Sequence, residues 1–290
     1  MGEAEKAASM TQDAWNIERA KNWHLFLPPA RPSPGEVVQY EQAVLSFSSN
    51  DPQPLRWGLF GATPEIRSLA GKYNRELLCI DKDKGVFATL RSLVNPQYTE
   101  KFICSDWVTV KHINPIDVFF ADGSLNMLPP EKHEIFLKKI HDWLTPRGWL
   151  LIRIHLAGTS RFTSPQEVFS WYRKSKSKEP VFTATRTDLD MLWLEPETLK
   201  LNFVEFHKKI KLLYDAHLIT PEEFEGYNKL LQFNKIDLFY TTNNRFETLV
   251  SSLFHIESIR TGEDYTRCQN HPLYILRKKT YEKKDCHPFS

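Results

Sequence analysis

Cysteine is scarce in this 290-residue chain: Cys79, Cys104, Cys268 and Cys286 are its four, and no two form a CxxC pair. That spacing gives no basis for a zinc cluster or a disulfide framework, and no metal is expected. Cys79 and Cys104 lie in apolar, strand-like runs and read as free buried thiols. Glycine is also sparse, 11 residues, and the full G-x-G-x-x-G fingerprint is missing. No stretch approaches the roughly eighteen uncharged apolar residues of a membrane span, and MGEAEKAASMTQDAW lacks an apolar export core. The expectation is a cytoplasmic protein without membrane association. Lys6 stands where a myristoylation signal wants Ser or Thr, so Gly2 carries little weight. A net charge of only +2 makes no electrostatic case for a nucleic-acid partner.

Apolar residues are plentiful. A hydrophobic share of 41% against 26% charged supports a real core. Apolar spacing predicts a helix over 14–27, which the proline-rich run 28–35 must end, and a second over 36–47. A turn at 51–54 follows. Short apolar runs at 55–60, 76–80, 101–104, 116–120 and 149–155 then alternate with helical stretches at 64–73, 83–93 and 130–144. This βαβα series predicts a doubly wound α/β fold with a mostly parallel sheet. Pro146–Gly148 reads as the turn before the fifth strand. Regular alternation lapses after His155, where helical patterns at 165–174, 196–217 and 221–233 suggest an inserted lid or substrate subdomain. Thr220 and Glu223 have the spacing of a capping box. A helix at 242–253 and two strands at 254–260 and 272–277 close the pattern, followed by a charged tail. A loop alone joins those strands, so they must be antiparallel neighbours. The expected organisation is a helical extension at 1–54, a core at 55–158 and 239–280, and a helical insertion at 159–238.

Chemistry concentrates where strands end. In RWGLFGATPEIRSLA, Gly58 and Gly61 allow close backbone approach to a ligand, Thr63 is a candidate cap, and Pro64 suits the first helical position. Glu65 at the helix mouth opposes a pyrophosphate and tolerates a cationic ligand. Asp81 ends the next apolar run about twenty residues after Gly61, where a carboxylate can accept both ribose hydroxyls. Lys82 follows it, and Asp83 reads as a helix cap. Asp106 and Trp107 follow the third run and offer a carboxylate and an aromatic face. In IDVFFADGSLNMLP an apolar strand runs into Asp122, Gly123, Ser124 and Asn126.

Together these segments resemble the class I S-adenosylmethionine-dependent methyltransferases over about 55–155 and 240–278. The resemblance implies a Rossmann-like, seven-stranded sheet with a C-terminal antiparallel hairpin whose last strand lies between its neighbours. It implies S-adenosyl-L-methionine as cofactor, held at Gly58, Gly61, Thr63 and Glu65 for the methionine part, at Asp81 for ribose, and at Asp106 and Trp107 for adenine, with Lys82 as a further cofactor contact. Ala121, Asp122 and Gly123 would face the amino-acid part, and Ser124 the acceptor. The chain departs from the family in having Ala62 and Thr63 where many members carry a third glycine. ADGSLNMLPP also lacks the Asp/Asn-Pro-Pro-aromatic signature of amino-methylating enzymes.

Methyl transfer needs alignment and exclusion of water more than elaborate chemistry. His155, ending the fifth strand, is the candidate base, with Arg153 two residues earlier on the same side and Asp122 as orienting partners. Trp171, Tyr172 and Trp193 of the insertion, with Trp15 and Trp23, are expected to form an aromatic ceiling over a small-molecule substrate. The basic run RKSKSKE from Arg173 reads as a solvated helix end. Other readings stay open: a methyltransferase acting on protein or RNA, an NAD-dependent oxidoreductase, an aminopropyl transferase, or a non-catalytic protein keeping the fold. Oligomeric state is not legible.

Overall fold

The computed structural model describes residues 17, 18, 20–48, 55–94, 98–111, 113–175, 178–232 and 236–280. The sheet is built first from alternation. Along β4 (Ile116–Asp122), Phe119 and Ala121 enter one apolar cluster while Val118 and Phe120 enter another. A strand buried on both faces requires helices on both sides. Phe136, Leu137 and Ile140 of α4 (His133–Trp143), with Phe246 and Val250 of α10 (Asn243–Ser251), cover the first face. Tyr40 and Val44 of α1 (Pro34–Ser48), with Ile66 and Leu69 of α2 (Pro64–Lys72), cover the second.

The other strands are β1 (Trp57–Phe60), β2 (Leu77–Asp81), β3 (Glu100–Cys104), β5 (Leu144–Arg153), β8 (Phe254–Arg260) and β9 (Leu273–Lys278), and α3 spans Lys84–Arg91. Their order is β3-β2-β1-β4-β5-β9-β8, seven strands in all. β1 through β5 pair in parallel; β9 runs antiparallel between β5 and β8. The order reverses between β1 and β4, which makes their C-terminal ends the ligand-binding crevice of such a sheet. The expected turn at Pro146–Gly148 is instead an irregularity inside β5: Leu144 pairs with Ile116, and regular pairing resumes only at Trp149 with Val118.

Residues between β5 and α10 form a third apolar cluster around Phe169, Phe206, Ile210 and Tyr227. Its helices are α5 (Pro165–Lys174), α6 (Val181–Ala184), α7 (Arg186–Trp193), α8 (Phe203–Asp215) and α9 (Pro221–Leu231). The helix expected over 196–217 is interrupted. Leu199 adopts a left-handed φ of 53°, and β6 (Lys200–Asn202) pairs antiparallel with β7 (Asp237–Phe239). Asn202 then caps α8 by accepting from the Glu205 amide at 2.8 Å. Thr220 and Glu223 form the reciprocal capping box at α9. Among the described residues no helix is long and apolar enough to cross a membrane. Trp15, Cys286 and the turn at 51–54 lie outside the described residues.

One buried ionic network joins distant parts of the chain. Arg153, 1% exposed, directs Nε to Asp122 Oδ1 at 2.5 Å and Nη1 to the Pro29 carbonyl at 3.1 Å, and Nη1 lies 3.5 Å from Glu36 Oε1. Tyr265 donates to the same Glu36 oxygen at 2.6 Å, and Tyr40 to Asp122 Oδ1 at 3.3 Å. Burial pushes the Glu36 carboxyl up, opposed by the Arg153 charge. Two carboxylates share one guanidinium here, so Arg153→Met leaves buried charge uncompensated. The expected loss is about 3–5 kcal/mol of unfolding free energy, measured by urea denaturation. Gly58 is a packing position: a Cβ there would lie 2.3 Å from Phe119 Cε1. Gly58→Ala is therefore expected to cost about 1–3 kcal/mol in the same assay.

Candidate active site

Four strand ends converge on one cavity of about 300 Å³. β1 stops at Gly61, whose φ of +92° is a backbone region that disfavours side chains, and whose amide donates to the Ile80 carbonyl at 2.9 Å. A Cβ at Gly61 would point between Asp81 Oδ2, 3.8 Å away, and Trp107 Cζ2, 4.0 Å away. The bare backbone thus floors a slot walled by a carboxylate and an indole. Trp107 is held there by its Nε1–H donating to the Ile80 carbonyl at 2.7 Å and by edge packing on Phe60. Its polar edge is spent inward, leaving ring surface for a ligand.

Asp81 is half-buried and accepts from the Asp83 amide at 2.9 Å. Burial pushes its carboxyl up to about 6, with that amide bond only partly opposing the shift. A carboxylate so placed gains from incoming hydroxyl donors, which replace the water it lost. Asp83 caps α3 through Val86 while its buried Oδ2 keeps no partner. Asp106 fixes its own loop by accepting from the Val108 amide at 2.9 Å. Lys82, Asp83 and Asp106 all line the cavity.

On the β4 side, Gly123 has a φ of +64°, and a Cβ there would lie 3.5 Å from His155 Nε2. Ser124 ties this turn to β1 through the Phe60 carbonyl at 3.2 Å. Asp122, Arg153 and Glu36 carry a formal net charge of −1, so this end of the cavity favours a cation. His155 is buried, and burial together with the Arg153 and Arg186 charges pushes it well below its ordinary range. It is neutral at pH 7. Asn126 frames it: its amide donates to the His155 and Phe239 carbonyls at 3.0 and 2.8 Å and accepts from the His155 amide at 2.8 Å. Asn126 thereby links the rim of β4 to β5 and to β7.

Gly61, Thr63, Asp81, Lys82, Asp106, Trp107, Asp122, Gly123, Ser124, Arg153, His155 and Trp23 line this cavity. Thr63 makes no side-chain cap bond, unlike the sequence expectation. Other expected site residues do not line this cavity. Gly58 packs on Phe119, and Ala121 lies in the core beneath α4. Glu65 accepts from Trp23 Nε1 at 3.1 Å and pairs with Arg31 at 2.6 Å, so it anchors the N-terminal segment. Trp171 is 44% exposed and carries the Arg161 guanidinium 3.8 Å over its ring. Tyr172 donates to Asp188 at 2.7 Å, and Trp193 packs edge-on against Phe206. From the insertion, Phe182, Thr183, Arg186 and Asp190 line the cavity together with apolar residues of the later helices and β7, and Tyr240 joins them from just beyond it. Nothing in their sequence spacing marked them. Among the described residues no three His, Cys, Asp or Glu are grouped to hold a metal.

No family model matches the chain, and no curated protein matches it. Solved structures do. One from Rhodobacter sphaeroides, bearing the working name Zn-dependent alcohol dehydrogenase, aligns with TM-score 0.57 and 14% identity over 92% of this chain and 98% of that one. The PH0226 protein of Pyrococcus horikoshii aligns with TM-score 0.50 and 12% identity over 89% and 98%. The 1,6-didemethyltoxoflavin-N1-methyltransferase of Burkholderia thailandensis, solved with 1,6-didemethyltoxoflavin and S-adenosylhomocysteine bound, aligns with TM-score 0.50 and 11% identity over 97% and 92%. Identities this low speak for the fold alone. An open dinucleotide-binding sheet in the order 3-2-1-4-5-6 has no antiparallel strand slipped between its fifth and last members; β9 occupies that place here. The chain has the seven-stranded fold of the class I S-adenosylmethionine-dependent methyltransferases.

Proposed function

We propose that this chain is an enzyme that transfers a methyl group from S-adenosyl-L-methionine to a small-molecule acceptor, at an oxygen or nitrogen. The observation that carries the reading is the convergence of Gly61, Asp81, Trp107 and Gly123 on one cavity at the sheet's switch point. The residues fit the cofactor. Asp81 would accept the ribose hydroxyls, Asp106 and Trp107 would flank the adenine, and the Gly61 backbone would let the methionine part lie close. The negative surplus around Asp122 suits a ligand carrying sulfonium and ammonium charges. The Burkholderia neighbour, with a small acceptor and S-adenosylhomocysteine bound together, supports the same use of the fold.

When bound, the sulfonium supplies an electrophilic methyl group. The chain's own residues align the acceptor and exclude water. His155, neutral and steadied by Asn126 on both backbone sides, accepts a hydrogen bond from the acceptor's hydroxyl or amine and holds its lone pair toward the methyl carbon. Asp122 is fixed by Arg153 and Tyr40 and bounds the cationic end. Residues 159–238 serve as the substrate-side subdomain, and the segment around Trp23 covers the cofactor side.

Calorimetric titration with S-adenosylhomocysteine, with NAD as comparison, tests this. Binding of the first and not the second is expected, weakened at least about tenfold in Asp81→Asn, a loss of roughly 1.4 kcal/mol or more. Binding of NAD alone, or of neither ligand by folded protein, contradicts the reading. The affinity also has a signed pH dependence. Ribose hydroxyls favour the ionised carboxylate, and Asp81 is protonated below about pH 6. Binding must then release a proton, so affinity falls with decreasing pH, approaching about tenfold per unit. Asp81→Asn should flatten that slope.

A further inference from the structure

We infer that the acceptor is an uncharged, largely apolar molecule carrying a single hydroxyl or comparable hydrogen-bonding group, bound in the chamber between His155 and the insertion. This rests on the methyl-transfer reading and narrows it to one acceptor class. The chamber wall supplied by the insertion is apolar: Phe182, Phe203, Leu230, Ile236 and Leu238. Its ionisable groups are Arg186 and Asp190, which form a net-neutral pair with each other. Arg186 Nε meets Asp190 Oδ1 at 2.8 Å, and Tyr240 donates to Asp190 Oδ2 at 2.7 Å. The Arg186 guanidinium also lies 4.7 Å from the Phe203 ring centroid. Across the cavity Arg153 is spent on Asp122, Pro29 and Glu36.

With the negative surplus around Asp122 taken up by the cofactor's cationic end, a charged acceptor would lose its hydration without gaining an unshared counter-ion. That cost exceeds what apolar contact returns. On residues of the wall, Thr183 Oγ1 and His155 Nδ1 are buried without partners, and the other ring nitrogen of His155, Nε2, lies toward the Gly123 turn. Thr183 can donate or accept, and neutral His155 offers a lone pair. A neutral molecule with one hydroxyl satisfies such a wall, whereas a carboxylate or ammonium does not.

The test uses three probes of one shape: 2-naphthol, 2-naphthoate and 2-naphthylmethylammonium. Each is titrated by calorimetry at pH 7.5 into the full chain, free and saturated with S-adenosylhomocysteine. To the chain saturated with S-adenosylhomocysteine, naphthol is expected to bind at least about tenfold more tightly than either ion. Leu238→Trp, which fills the chamber, should abolish naphthol binding and leave S-adenosylhomocysteine binding unchanged. Asp190→Asn, which frees the Arg186 charge, should shift the naphthoate-to-naphthol ratio at least about tenfold toward the anion. Equal or tighter binding of either ion to the unaltered chain overturns the proposal, as does absence of naphthol binding. The S-adenosylhomocysteine titration is scored separately. Its success with a failed ranking sinks the neutral acceptor alone, while its failure sinks the methyl-transfer reading and the acceptor class with it.

Discussion

A single guanidinium, that of Arg153, holds the working end of this molecule together. From the C-terminal end of β5 it reaches Asp122 at the end of β4, the Pro29 carbonyl of the N-terminal segment, and Glu36 of α1, which Tyr265 secures in turn. Removing a cation from water is costly, and the cost is offset only when every partner is in place. The network therefore fixes the relative positions of segments that lie far apart in sequence. It also sets the electrostatics of the cavity, because two carboxylates around one cation leave a negative surplus where a cationic ligand would sit.

Around that anchor, the division of labour follows from sheet geometry. β1, β2 and β4 end together at the switch point, and each ends in a residue suited to close approach: Gly61 and Gly123 by left-handed backbone, Asp81 by a carboxylate short of hydrogen bonds. Trp107 spends its N–H on Ile80 and so presents ring rather than polar edge. Asn126 then links the end of β4 to β7, bonding the His155 backbone and the Phe239 carbonyl at once. The two sides share one buried amide. Any shift of β7 is felt at His155.

Much of this was legible in the chain itself, for physical reasons. The core strands are continuous apolar runs that end abruptly in Gly, Asp or Ser, so both their existence and where they end could be read. The hairpin of β8 and β9 followed because no crossover helix separates them. Positions decided by distant partners could not be read. Arg153 looked available to a substrate until Glu36 and Pro29 were placed against it. Glu65 looked like a ligand contact and proves to hold Trp23 and Arg31. Trp171 and Trp193 drew attention by residue type, yet a tryptophan's identity says nothing of the face it occupies. Thr183, Arg186 and Asp190 sit in two short helices separated at Thr185, where no single period runs long enough to show which side turns inward. Gly58 illustrates the reverse confusion: a glycine beside a ligand loop whose missing Cβ makes room for Phe119.

The central claim is that the ends of β1, β2, β3 and β4 form one site for an S-adenosyl ligand. Hydrogen exchange followed by mass spectrometry, with and without saturating S-adenosylhomocysteine, addresses it most directly. Slowed exchange is expected together in four separate stretches, at Gly61–Thr63, Asp81–Asp83, Asp106–Val108 and Asp122–Ser124. Protection confined to other parts of the chain, or none at a saturating concentration, would contradict the account.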